Sequence, residues 1–218
     1  MYRPRVKICC IQSVSEAQLA IRYGASAVGF VSAMPSGPGP IDEELIAEIA
    51  RTIPPGVSSF LLTSKQDTDS IVDQQRRTGV NTLQLVDAVS VETLKTLRNK
   101  LPGVALVQVI HVNGREAIDK ALAVAPYVDA ILLDSGNPSL AVKVLGGTGR
   151  VHDWSISKEI RERAGVPLFL AGGLKPENVH EAIERVQPYA LDVCTGVRTN
   201  GLLDESKLAA FFERINHV

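Results

Sequence analysis

Short apolar runs rich in valine, isoleucine and leucine alternate along this chain with longer amphipathic segments. The runs fall at 6–11, 25–31, 57–63, 82–86, 104–112, 128–134, 167–171 and 190–195. Segments with helical periodicity follow them at 15–23, 41–53, 68–78, 91–101, 115–124, 155–164, 176–186 and 205–215. Local signals mark several boundaries. Ser15 and Ser90 are expected to cap the first and fourth helices, and Gly24 and Gly79 to end the first and third. Pro176 fits a first helical turn, where its missing N–H costs nothing. Runs that are apolar on both faces are the mark of parallel strands covered on both sides. Eight strand–helix units without interruption predict an α/β protein, a closed (β/α)8 TIM barrel rather than an open doubly wound sheet. No linker, low-complexity tract or charge run divides the chain, so 1–218 reads as a single TIM-barrel domain.

Composition narrows the field. The 218 residues hold 23 Lys+Arg against 24 Asp+Glu, a formal net charge of −1. Such near-neutrality supplies no global field for nucleic acid or a membrane surface, so neither is expected as a partner. A hydrophobic content of 45% is too high for a disordered chain. Cys9, Cys10 and Cys194 cannot build a disulfide framework, and no Cys/His cluster has zinc-ligand spacing. The start MYRPRVKICC lacks a signal-peptide core, and the longest apolar runs fall far short of a membrane span. A soluble, cytoplasmic protein is expected.

In this fold the chemistry lies at the C-terminal ends of the strands. Alternation on strand one sets Lys7, Cys9 and Ile11 on one face and Val6, Ile8 and Cys10 on the other. The Val–Ile face suits the helices outside, which turns Lys7 and Cys9 inward. A lysine inside a barrel requires a partner, and Asp192 or Asp134 can supply it; otherwise Lys7 lies solvated at the bottom mouth. Gly172-Gly173 and Thr195-Gly196 follow strands seven and eight, where barrels build phosphate sites from backbone N–H groups. The plainer reading is a pair of tight turns. Asp134 ends strand six and is a candidate general acid or base, or else a loop anchor. Taken alone, Cys9 reads as a small buried hydrophobe. His111 closes strand five, His152 shows no partner, and His180 and His217 read as surface residues.

Taken together, these residues resemble the phosphoribosylanthranilate isomerase family of tryptophan biosynthesis over nearly the whole chain. Lys7-Ile8-Cys9 matches the family's opening strand, and Ala27-Val28-Gly29-Phe30-Val31 its second. Gln84-Leu85, Leu132-Leu133-Asp134, and Gly146-Gly147-Thr148-Gly149 followed by Asp153-Trp154 match further motifs in order. So do Ala171-Gly172-Gly173-Leu174, Pro176-Glu177-Asn178-Val179, and Asp192-Val193 with Gly196-Val197. The resemblance implies a barrel of the ribulose-phosphate-binding type that performs an Amadori rearrangement, an aldose–ketose isomerisation, with no metal or organic cofactor. It implies Asp134 as the acid that opens the furanose ring and Cys9 as the base that removes the C2′ proton. Lys7 is the electropositive neighbour that favours the thiolate. Lys7, Gln84, Gly147, Thr148, Gly149, Gly172, Gly173, Thr195 and Gly196 are then expected to bind a small phosphosugar substrate, in a monomer or homodimer.

The chain departs from the family at the aromatic-acid end. Cys10-Ile11-Gln12 stands where the family has Gly-Ile/Leu-Thr, and Gly39 stands where an Arg contacts the substrate carboxylate. Val86-Asp87 replaces His-Gly, Arg198 replaces a frequent Glu, and the loop from Asp134 to Gly146 is longer. A lost buried Arg–carboxylate contact costs about 1.5–3 kcal/mol or more. Arg150 or Arg198 can replace it, or both are exposed loop arginines. Two alternatives to the family's activity stay open at this point: isomerisation of another phosphosugar amine, and a non-catalytic barrel that binds a phosphate ligand.

Overall fold

The computed structural model describes residues 3–136, 149 and 151–216. Eight parallel strands close into a barrel in chain order: β1 (Arg5–Ile8), β2 (Ala27–Val31), β3 (Ser58–Thr63), β4 (Thr82–Leu85), β5 (Ala105–His111), β6 (Ala130–Asp134), β7 (Leu168–Leu170) and β8 (Ala190–Val193). Closure is made by β1, which pairs with β2 and with β8, so that Lys7 sits level with Ala27 on one side and Asp192 on the other. The outer ring is α1 (Val14–Arg22), α2 (Glu43–Ala50), α3 (Thr68–Thr78), α4 (Val91–Lys100), α5 (Glu116–Val124), α6 (Trp154–Arg163), α7 (Val179–Val186) and α8 (Glu205–Asn216). A short antiparallel hairpin, β9 (Arg198–Thr199) with β10 (Leu202–Leu203), lies between β8 and α8. Among the described residues no helix is long and apolar enough to cross a membrane.

Alternation along the strands divides the buried residues into two groups. Val6, Ile8, Val28, Phe30, Leu61 and Leu83 face outward and pack with the inner faces of the helices. Cys9, Ala27, Phe60, Leu62, Val107, Leu132 and Phe169 fill the barrel. The apolar runs are continuous because both groups are buried, one under helices and one inside the ring.

Two local expectations are corrected. The first helix begins at Val14, so its cap is Ser13, whose hydroxyl accepts the Glu16 N–H at 3.2 Å. Ser15 lies inside the first turn and bonds Ser13 instead. The seventh helix begins at Val179, and Pro176 belongs to the turn before it. The Asn178 amide closes that turn, accepting from Lys175 N and donating to Gly173 O, both at 2.9 Å. Ser90 and Gly79 act as expected: Ser90 accepts the Thr93 N–H at 3.0 Å, and Gly79 ends α3 at φ 68°.

Candidate active site

Lys7 is wholly enclosed by the barrel, and its ammonium donates to Asp192 Oδ1 at 2.8 Å. Of the expected arrangements, this is the inward, paired one. Burial alone would lower the lysine pKa. Asp192 outweighs it and, with Cys9, holds Lys7 in its charged form above the ordinary range. Gly29 on β2 makes room for this lysine. A Cβ there would lie 3.0 Å from Lys7 Nζ and 3.1 Å from Cys9 Sγ, so ammonium and thiol border the same small space.

Cys9 follows directly on β1 and points into the barrel. The hydrogen bond from the Cys10 thiol pulls its pKa down; burial opposes this and the Lys7 charge adds to it, leaving the thiol below its ordinary value. Cys10 overturns the alternation. It was expected to face outward, yet it joins Cys9 in the interior. The strand has ended at Ile8, and Cys10 takes the left-handed conformation at φ 62°, which swings its side chain to the inner side. Hydrogen bonding to Cys194 and Cys9, together with burial, pushes the Cys10 thiol up. All three cysteines line the pocket at the barrel mouth.

Asp134 ends β6 in register with His111 of β5. Burial raises its pKa, and the Ser135 N–H, donated at 2.7 Å, and the His111 ring only partly offset that. His111 is fixed by its Nε2, 3.0 Å from the Val86 carbonyl. Cys9, Asp134 and Gln84 line one pocket at the C-terminal mouth of the barrel, together with Gly149, Gly172, Gly173 and Thr195. Gln84 is buried and its Oε1 has no partner among the described residues, so an acceptor stands free in the pocket wall. Gly172 (φ 82°) and Gly173 (φ 65°) are consecutive left-handed residues, a turn that only glycine makes without strain. At Gly196 a Cβ would fall 1.9 Å from the Leu174 carbonyl oxygen, so this glycine packs the β7 and β8 loops together and does not line the pocket. Gly147, Thr148 and Arg150 lie outside the described residues. Among the described residues no group of three or more His, Cys, Asp and Glu is arranged to hold a metal ion.

Several residues stand differently from the sequence reading. Arg198 is buried and paired with Glu16 at 2.9 Å; it is neither an exposed loop arginine nor a free cation for a substrate carboxylate. His152 has a partner, with Nε2 2.7 Å from Ser157 Oγ, and burial pulls its pKa to about 4. His180 is exposed, as expected, and His217 lies outside the described residues. Sequence reasoning gave Cys10 and Cys194 no place in the site, yet both line the pocket, beside Met34, Ser36, Gly37 and Pro38 of the loop expected at the aromatic-acid end. For the two cysteines the available signal was their position at the ends of strands one and eight.

The family model described as N-(5'phosphoribosyl)anthranilate (PRA) isomerase matches residues 6–214. The chain belongs to the phosphoribosylanthranilate isomerase family. It is 38% identical to N-(5'-phosphoribosyl)anthranilate isomerase 2 of Methanosarcina mazei, over 96% of this chain and 93% of that one. The phosphoribosylanthranilate isomerase of Thermotoga maritima superposes with a TM-score of 0.85 at 30% identity, covering 99% of this chain and all of that one. A phosphoribosylanthranilate isomerase solved with reduced 1-(o-carboxyphenylamino)-1-deoxyribulose 5-phosphate superposes at 0.82, with 28% identity over 99% of this chain and all of that one. Membership in this family makes the chain an isomerase of N-(5'-phosphoribosyl)anthranilate in tryptophan biosynthesis.

Proposed function

We propose that the chain carries out its isomerisation with Asp134 as general acid and Cys9 as general base. Asp134 protonates the furanose ring oxygen as the C1′–O bond breaks, which leaves an open-chain Schiff base. The Cys9 thiolate then takes the C2′ proton. The C2′–H electrons form the C1′–C2′ double bond, and the C1′–N π electrons move to nitrogen. Tautomerisation of this enolamine gives the 1-amino-1-deoxyketose. One observation carries the assignment: two groups in the same pocket have environments that push them in opposite directions, the carboxyl up and the thiol down. An acid that holds its proton and a base that has lost its own are what this division of labour requires.

The backbone around Gly149, Gly172, Gly173 and Thr195 is read as the phosphate cradle, and Gln84 Oε1 as an acceptor for a sugar hydroxyl. Lys7 does not reach the substrate in this reading; it sustains the Cys9 thiolate from below. Gly147 and Thr148, outside the described residues, are still expected to contribute to phosphate binding, and Gly196 supports the cradle through loop packing. The barrel is taken as the one domain of the chain. Its partner is the small phosphosugar, with no role for nucleic acid or membrane, and it works in the cytoplasm as a monomer or homodimer.

The test is turnover of freshly generated substrate by Cys9→Ser and Asp134→Asn, followed by loss of substrate fluorescence. Each variant is expected to lose about 10²–10⁴-fold in kcat with Tm close to wild type. Near-wild-type turnover in either variant removes that residue from the mechanism.

A further inference from the structure

The Arg198 guanidinium is the most densely engaged group near the barrel mouth. Its Nη1 donates to Glu16 Oε1 at 2.9 Å and to the Gly201 carbonyl at 2.8 Å. Its Nη2 donates to Glu16 Oε2 at 2.9 Å, to the Cys9 carbonyl at 3.4 Å and to the Cys10 carbonyl. Glu16 in turn accepts the backbone N–H groups of Gln12 at 3.0 Å and Leu203 at 2.8 Å. The side chains of Arg198 and Glu16 are 5% and 12% exposed, so water does not compete at the centre of this network.

What it holds is the segment that carries the reacting thiol. The ladder grips the chain on either side, through Cys9 N–H to Val193 O and Ile11 N–H to Gly29 O, both at 2.9 Å. Between them the chain turns through Cys10 in the left-handed region, which a residue with a Cβ rarely adopts. That turn aims the carbonyls of Cys9 and Cys10 away from the ladder. Without a donor they would be buried and unsatisfied beside the active thiol. We infer that Arg198, locked by Glu16, is a positioning residue for the isomerisation: it holds the strained Cys10 turn and thereby sets where the Cys9 sulfur points.

The inference rests on Cys9 being the base, and its test keeps the two apart. Arg198→Lys, Arg198→Met and Arg198→Met/Cys10→Gly are assayed beside Cys9→Ser. Arg198→Met is expected to lower kcat by about 10²-fold, the loss that a misplacement near 1 Å produces, while KM changes little. Arg198→Lys is expected to lose less, since it keeps the charge but not the fork. Cys10→Gly alone, assayed beside them, sets the cost of removing the thiol that hydrogen-bonds Cys9; glycine adopts the left-handed turn without strain, so Arg198→Met is expected to cost much less kcat in that background than in the Cys10 enzyme. Should Arg198→Met fail to fold, Arg198→Lys and its Cys10→Gly counterpart carry the same comparison. An unchanged kcat in Arg198→Lys and Arg198→Met, or a loss from Arg198→Met as large in the Cys10→Gly background as in the Cys10 enzyme, overturns the positioning role. An active Cys9→Ser overturns the base assignment instead.

Discussion

Lys7→Met is the substitution whose consequence follows most directly from the site. Methionine fills the lysine's space inside the barrel and leaves the Asp192 carboxylate, 7% exposed, without its cation. Breaking a buried pair in this way costs about 3–5 kcal/mol. The effect on the thiol is separate. Lys7 Nζ and Cys9 Sγ border the same space at Gly29, 3.0 and 3.1 Å from a Cβ placed there. The two atoms therefore lie at most about 6 Å apart, and an ammonium at that distance stabilises a thiolate by about 3 kcal/mol at an effective dielectric near 20. The carboxylate left behind repels the thiolate as well. The Cys9 limb of the kcat/KM–pH profile should therefore move to higher pH, and turnover near neutrality should fall by about 10–100-fold. Lys7→Met/Asp192→Asn separates the two effects: it removes the orphaned charge and recovers much of the stability, but does not return the limb to its wild-type position. The assay is the substrate-fluorescence rate from pH 5 to 9, with urea denaturation alongside. A folded Lys7→Met enzyme with the wild-type pH profile refutes the coupling.

Two further outcomes follow from residues that support the barrel mouth. Gly39→Arg introduces the residue type that the family resemblance implies there, but it is not expected to raise activity. Gly39 sits at φ 75°, and a Cβ there would lie 2.9 Å from Cys10 Cβ. The strain is about 1–3 kcal/mol, a fall of about 2–12 °C in Tm; an unchanged Tm would contradict the packing. Glu16→Gln destabilises the fold at pH 7. Burial raises the Glu16 pKa, but Arg198 and the Leu203 and Gln12 N–H groups outweigh it, so the folded value lies below the unfolded one. The carboxylate's contribution is thus fully present above the unfolded value of about 4.3 and is lost as pH falls through the lower folded one. Denaturation midpoints should converge between wild type and Glu16→Gln below pH 4, and a gap that stays constant with pH would contradict this sign.

The barrel was legible because its strands are buried twice, and that gives eight apolar runs with helical segments between them. Lys7 was legible for the same reason: a charge in an inward position demands a counter-charge, and β8 is the neighbour that closure supplies. Cys10 was not legible, because alternation predicts a face only while the strand lasts, and a left-handed residue just past its end reverses the side. Arg198 was misread because its partners are remote in sequence. Glu16 lies on the first helix, and the carbonyls of Cys9 and Cys10 become acceptors only once the turn at Cys10 has formed. The plain turn reading suits Gly196, whose missing Cβ lets the Leu174 carbonyl approach.

In the proposed mechanism the Cys9 thiolate removes the C2′ proton after Asp134 has opened the ring. The most direct test of this step is single-turnover conversion of substrate deuterated at C2′, by wild type and by Cys9→Ser. A primary isotope effect is expected in wild type, with a rate at least about 10²-fold lower in Cys9→Ser and the fold intact. A Cys9→Ser enzyme that converts the substrate at close to the wild-type rate would contradict the proposed mechanism.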